Sequence, residues 1–333
     1  MASSRVGAAL SAYEIRDLVR EELAQVEGVI NLESIASADA VTAVGQYLQG
    51  NGGKRLRPTL LLLTARLFGE PRASAVRLAA VVEMIHAATL VHDDVIDDAR
   101  TRRGKPSANA VWGNHICVLS GDWLYMQAFQ IALRERNFAI LDILITLTQM
   151  MVEGELLQLE RLGRIDVSEA DYMDLVDRKT ASLFAACTRL GALVGGASES
   201  GEADLSDYGW NLGMAFQLID DILDFTASES VLGKPVGNDL REAKITLPLI
   251  YALAEAGAED RALIETVLRE RSYRSVPLAR VLDVVRRHGG IDRARVRAQE
   301  FTEKARRIIS RVPESPYQRA LLTVTDLITE RDY

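Results

Sequence analysis

Cysteine is nearly missing from this chain of 333 residues, which contains only Cys117 and Cys187. Neither has the paired spacing of a metal site or a disulfide framework, and both sit in apolar surroundings. They are expected to be buried free thiols in a reducing compartment, which implies a cytoplasmic location. Histidine is scarce too: His86, His92, His115 and His288 show no zinc spacing. The eight prolines leave most of the chain at helical period, and alternating strand patterns are hard to find, so the expected class is all-α. No run reaches the roughly 18 apolar residues of a membrane span. No long apolar run precedes Glu14, so no signal peptide is expected. A net charge of -8, with no basic tail or stripe, argues against nucleic-acid binding. No low-complexity linker divides the chain, and residues 1–333 are expected to form one domain.

What the chain does have is two matching acidic clusters. Asp93-Asp94-Val95-Ile96-Asp97 is followed by Asp98, and Asp220-Asp221-Ile222-Leu223-Asp224 repeats the pattern. Both follow apolar, helix-like stretches, so Asp93 and Asp97 share a helix face, as do Asp220 and Asp224. Two carboxylates about 6 Å apart repel by roughly 3 kcal/mol at an effective dielectric near 20, and burial adds a desolvation cost. One acidic run is readily explained as a solvated face; two inside apolar helices call for compensation. Oxygen ligands with room for water suit Mg²⁺, which is usually held by one or two carboxylates plus phosphate oxygens.

Cations lie beside both clusters. Gly52-Gly53-Lys54-Arg55-Leu56-Arg57-Pro58 places three at a predicted helix entrance, a natural setting for phosphate. Thr101-Arg102-Arg103-Gly104-Lys105-Pro106 follows the first cluster, Gly233-Lys234-Pro235 and Lys244 follow the second, and Lys179-Thr180 lies between. Each run alone reads as solvated surface. Together they imply a strongly negative ligand, and a metal ion with Lys and Arg around it would clamp a diphosphate. Helical period predicts helices at about 10–28, 35–50, 58–67, 73–98, 121–134, 138–162, 168–195 and 205–226, and from 246 onward. Residues 99–108 and 228–244 are expected to be loops, with breaks near 272–277, 289–290 and 313–316.

In order and spacing these motifs resemble the trans-isoprenyl diphosphate synthases, the polyprenyl synthetase family. The resemblance runs from Gly53-Lys54-Arg55-Leu56-Arg57-Pro58 through Ile85-His86-Ala87-Ala88-Thr89-Leu90-Val91-His92-Asp93 and Phe216-Gln217-Leu218-Ile219-Asp220 to Lys244-Ile245-Thr246-Leu247-Pro248. It covers residues 50–250, and the ending Glu330-Arg331-Asp332 is similar as well. Ala243 departs from the family, which often has Gly before the lysine. The resemblance implies a helical bundle around a central cavity, a homodimer, and head-to-tail condensation of an allylic diphosphate with isopentenyl diphosphate. It implies that Asp93, Asp97 and Asp220 bind Mg²⁺, with Asp94, Asp221 and Asp224 nearby. Arg102, Lys179, Lys234 and Lys244 would surround the allylic diphosphate; Lys54, Arg57, His86 and Arg103 would hold isopentenyl diphosphate. Thr180 and Gln217 would direct oxygen dipoles at the developing cation.

In the family, bulky aromatics just before the first cluster close the product tunnel. Here those positions are Ala88 and Thr89, which implies a long-chain product whose walls come from Leu124, Ala128, Leu144, Leu147, Met151 and Leu218. Val152 to Gln158 also resembles the long-chain branch, and such a product would partition toward a membrane. A farnesyl or geranylgeranyl diphosphate synthase is the nearest alternative. A class I terpene cyclase needs no second diphosphate pocket, so Lys54, Arg57 and Arg103 argue against it. A non-catalytic subunit could lose its aspartates, and this chain keeps both clusters.

Overall fold

The computed structural model describes residues 10–50, 53–69, 73–102, 104–226 and 236–329. Arg103, Lys234 and the 330–332 ending lie outside the described residues. The chain is all-α, apart from a hairpin of two-residue strands, β1 (Thr101–Arg102) and β2 (Lys105–Pro106), within the expected 99–108 loop. The first five helices are α1 (Ala12–Asp17), α2 (Arg20–Glu33), α3 (Asp39–Gly50), α4 (Leu56–Arg66) and α5 (Ala73–Ile96). After the hairpin come α6 (Ala108–Trp112), α7 (Asn114–Arg134), α8 (Phe138–Arg161) and α9 (Glu169–Val176). A π-helical turn (Asp177–Ala181) leads into α10 (Ser182–Gly195) and the long α11 (Glu199–Thr226). The remainder is α12 (Asn238–Arg241), α13 (Leu247–Glu255), α14 (Ala258–Glu270), α15 (Leu278–Arg287), α16 (Gly290–Ile309) and α17 (Pro316–Thr329).

Composition decides which helices are central. Every residue of α4 from Pro58 to Ala65 is buried, so it has no polar face to turn outward. It lies between α5 and α10, while α11 packs on α10 and α16. Helix α5 is long and apolar enough to cross a membrane by length and composition, but its apolar residues are packed against α2, α4, α7 and α10. One connected apolar core reaches from Ile15 to Ile328.

The expected boundaries shift where glycine proves to be a packing residue rather than a breaker. Helix α7 starts at Asn114 and runs through Gly121, where a start was expected. Helix α11 begins at Glu199 and absorbs Gly201. The expected 168–195 helix is interrupted by the π turn, although Ser168 opens it with a capping box to Asp171. Close helix approach explains Gly209 and Gly213 on α11. A Cβ at Gly209 would lie 2.1 Å from Thr188 Oγ1 and 2.5 Å from the Phe184 carbonyl; at Gly213 it would lie 2.7 Å from Ala181 Cα. This seam sets the height of α11 against the π turn. Gly209→Ala should therefore cost about 1–3 kcal/mol through overpacking, read as a lower urea midpoint; an unchanged midpoint would show that the seam is slack.

Candidate active site

Helix geometry sorts the first acidic cluster. At about 100° per residue, His86, Thr89, Leu90, Asp93 and Asp97 fall on one face of α5. Asp94 is turned away: it is 1% exposed, accepts from Arg102 Nε at 2.7 Å, and its carbonyl accepts from Asn109 Nδ2 at 3.0 Å. It fastens the Thr101–Pro106 hairpin to the end of α5. Asp93 faces the cavity, and its pKa is pushed up to about 6, chiefly by burial. Lys179 opposes that rise, while Glu155 and Asp97 add to it.

The second cluster divides in the same way. Asp220 is half-buried. Asp221 is buried, its Oδ2 accepting from the Tyr172 hydroxyl at 2.6 Å and its Oδ1 from Gln217 Nε2 at 2.8 Å. Burial and then Asp239 drive the Asp221 pKa well up, while its two donors work the other way. Asp224 is fully buried and accepts from the backbone N–H groups of Asn238 (3.3 Å) and Asp239 (3.2 Å). It therefore anchors the segment leading to Lys244.

Lys244 joins the clusters. Its Nζ lies 3.3 Å from Asp97 and 2.7 Å from Glu242. Burial works against its charge, but Glu242 and Asp97 outweigh that and raise its pKa. Ala243, where the family often has Gly, adopts φ 61°, so the backbone takes the conformation that glycine would favour. Lys179, in the π turn, pairs with Glu155 and donates to Gln158 Oε1 at 3.2 Å. Its neighbour Thr180 donates to Gln217 Oε1 at 2.9 Å.

The glycine-started basic turn is not uniform. Lys54 is exposed. Arg57 lies 3.1 Å from His86 Nε2, and its guanidinium is 5.3 Å from the centre of the Phe184 ring. Arg55 instead forms ion pairs with Glu27 and Glu83, so this cation is committed to holding α2, α4 and α5 together.

A cavity of about 430 Å³ opens below Asp93 between α5, α7, α8 and α10. Thr89, Leu90, Tyr125, Met151, Leu156 and Leu183 line it, with Lys179 and Thr180 at its polar end. Of the six expected wall residues only Met151 is on this wall. Ala128, Leu144, Leu147 and Leu218 are buried in the core, and Leu124 lines a smaller neighbouring pocket. Ala88 is likewise fully buried and off the cavity wall. Five residues is about 140° around a helix from Asp93, whereas four is about 40°, so Thr89 faces the cavity and Ala88 does not. His92 is clamped on α7, with Nε2 3.1 Å from the Val118 carbonyl and in the notch left by Gly121, where a Cβ would lie 2.2 Å away.

Sequence reasoning missed Tyr172, Glu155, Asp239 and Glu242 as members of this site. Glu155 lies in a segment already noted, and its charge on an apolar helix was an available signal. Tyr172 sits in an ordinary amphipathic helix and carries no such mark.

Among the described residues no three metal-ligating side chains converge on one point. The carboxylates of Asp93 and Asp97 at the end of α5 and of Asp220 on α11 are oxygen donors of the kind that fits Mg²⁺, an ion that keeps water and phosphate among its ligands. A metal held by Asp93 would compete with a proton, because the folded pKa of Asp93 stands above the usual carboxylate value. Metal affinity should therefore hold above pH 6 and fall below it, by up to about tenfold per unit for one displaced proton. Lys179→Gln should move that midpoint upward, since Lys179 holds the Asp93 pKa down. Calorimetric titration of the metal across pH checks both, and a flat profile would contradict them.

The polyprenyl synthetase family model matches residues 38–284. The chain is 38% identical over 324 residues to an octaprenyl diphosphate synthase of Haemophilus influenzae, covering 97% of this chain and 98% of that protein. It is also 33% identical over 326 residues to a short chain isoprenyl diphosphate synthase of Methanothermobacter thermautotrophicus, covering 96% and 99%. A crystal structure of a polyprenyl synthase from Caulobacter crescentus CB15, complexed with calcium and isoprenyl diphosphate, superposes with TM-score 0.92 at 34% identity, covering 98% of this chain and all of that one (100%). With the two aspartate clusters, the cations beside them and the apolar cavity below Asp93, these matches show that the chain belongs to the polyprenyl synthetase family.

Proposed function

We propose that the protein is a trans-polyprenyl diphosphate synthase that adds isopentenyl diphosphate head to tail, repeatedly, to an allylic diphosphate, giving a long-chain product. The cavity below Asp93 carries this reading. It runs along α5 past Thr89 and Leu90, neither of which carries a ring to close it. Asp93 and Asp97 would hold Mg²⁺ from one side and Asp220 from the other. Bound metal neutralises the departing diphosphate and favours C–O ionisation.

The chain's own residues do the rest. Arg102, Lys179, Lys234 and Lys244 take the allylic diphosphate. Lys244 holds Asp97 through long contacts of 3.3 and 3.4 Å and is placed to exchange that partner for phosphate oxygen. Lys54, Arg57, His86 and Arg103 hold isopentenyl diphosphate with its double bond toward the reacting carbon, converting a two-body encounter into an oriented one. The Thr180 oxygen faces the developing charge. The released diphosphate takes the proton lost in forming the new double bond, so no strong protein base is required.

We further infer that the protein works as a homodimer of single-domain subunits in the cytoplasm. Two stripes of exposed apolar residues support the dimer. On α7, Leu119, Met126 and Leu133 recur every seven residues; on α8, Phe138, Ile145, Val152 and Leu159 do the same. Phe138 is 83% and Ile145 53% exposed, and heptad spacing on two successive helices is the pattern of an intersubunit bundle. The two buried, unpaired cysteines suit a reducing compartment. The product, apolar with a diphosphate head, would partition toward a membrane.

With Mg²⁺, farnesyl diphosphate and excess isopentenyl diphosphate, the purified protein should form products longer than twenty carbons. Chain growth ending at fifteen or twenty would overturn the long-chain reading. Thr89→Phe should shorten the product, whereas Ala88→Phe reaches the cavity only by displacing core neighbours. Met126→Glu with Ile145→Glu should halve the mass measured by light scattering; an unchanged dimer mass would place the interface elsewhere.

A further inference from the structure

Asp221 belongs to the second acidic cluster, yet its carboxylate is committed to partners within the protein. It is 4% exposed, and both oxygens are occupied by donors: Tyr172 at 2.6 Å and Gln217 at 2.8 Å. The other end of the Gln217 amide accepts the Thr180 hydroxyl at 2.9 Å. Tyr172, on α9, is 3% exposed, and the π turn bearing Thr180 is itself tied down by the Trp210 indole N–H, 2.6 Å from Asp177.

We propose that Tyr172 is a positioning residue for the condensation. Together with Asp221 it fixes which way the Gln217 amide faces, and the amide fixes which way the Thr180 proton points. The logic follows from the inventory of donors. Gln217 presents its Nε2 to Asp221 Oδ1 at 2.8 Å, so the NH₂ end of the amide is the one that faces the carboxyl group. The carbonyl then faces Thr180 and draws its single proton away from the cavity. The lone pairs of Thr180 are left toward the cavity, where positive charge develops. With the amide reversed, NH₂ would meet the Thr180 oxygen and the hydroxyl proton would turn toward that charge, replacing an attraction by a repulsion. Tyr172 matters because it occupies the second Asp221 oxygen and stops the carboxylate from rotating off Gln217.

This inference rests on the reading of Thr180 given above, and the test separates the two. Tyr172→Phe keeps the ring and removes the hydroxyl. It should lower kcat by about 10- to 100-fold while leaving KM for isopentenyl diphosphate and metal affinity unchanged, because neither Asp220 nor the Arg57 pocket is touched. Asp221→Asn supplies a second route, since its amide can satisfy Gln217 in the reversed orientation; it should show the same loss. Thr180→Val should lower kcat as well, Thr180→Ser should retain it, and adding Tyr172→Phe to Thr180→Val should cost nothing more. Multiplying losses in that double variant would overturn the positioning role alone. Full kcat in Thr180→Val would overturn both the Thr180 reading and the inference built on it.

Discussion

The structure depends on holding like charges together in a crevice that solvates them poorly. Asp93 shows the strain most directly: burial raises its pKa to about 6 even with Lys179 nearby. The chain relieves this with internal cations rather than with water. Lys244 reaches across to Asp97 and Glu242, and Lys179 pairs with Glu155. These pairs are only partly covered, so they are weaker than deep ion pairs and open to exchange. A diphosphate arriving with its metal offers each partner a better match: oxygen for the lysines, a divalent cation for the carboxylates. The site is thus built for a ligand that carries both signs, which neither the acidic nor the basic motif implies by itself.

Bringing the two clusters face to face is a problem of helix approach. Helix α11 comes close enough to α10 only because Gly209 and Gly213 omit side chains where Thr188, Phe184 and Ala181 lie. The π turn at Asp177–Ala181 then displaces Lys179 and Thr180 from the positions a regular helix would give them, toward Glu155 and Gln217. Such bulges are uncommon and concentrate at functional sites. On α5 the corresponding device is the His92–Gly121 contact, which pins the residue next to Asp93 against α7. Each device fixes a short stretch of backbone beside a charged residue, so small errors in packing become errors in the site.

How much was legible follows from what a one-dimensional pattern can carry. The i, i+4 placement of Asp93 and Asp97 survives intact, because helical period is local. The all-α class and the long buried helices were legible for the same reason. The partners that set the six clustered aspartates apart were not, and the pattern alone does not separate them. Asp94, Asp221 and Asp224 are taken by Arg102, Tyr172 with Gln217, and the backbone ahead of Lys244; apart from Gln217, one helical turn before Asp221, these partners lie between eight and 49 residues away. Ala88 and Thr89 are adjacent in sequence yet about 100° apart on the helix, and that rotation decides which one faces the cavity. Gly121 looks like a breaker in a string of letters because the side chain that fills its notch, His92, comes from another helix. The π turn leaves no mark of this kind, since its residues are ordinary helix formers.

Helix α8 ties the chemistry to assembly. Val152 and Leu159 belong to its exposed seven-residue stripe and also line the cavity, while Leu156 lies between them with 55% exposure. A side chain cannot both wall a dry tunnel and stand in water, because a growing apolar chain would then be partly solvated at that wall. The conflict disappears if a second α7–α8 face covers the stripe, since the same residues would then be buried on both sides. In the proposed dimer the tunnel wall is therefore completed by assembly, and the depth available to the product is a property of the pair. That also gives a physical reason for the placement of small and flexible residues: Thr89 and Met151 face the growing chain within one subunit, while the larger apolar groups of the heptad stripe sit where two surfaces must fill the space between them.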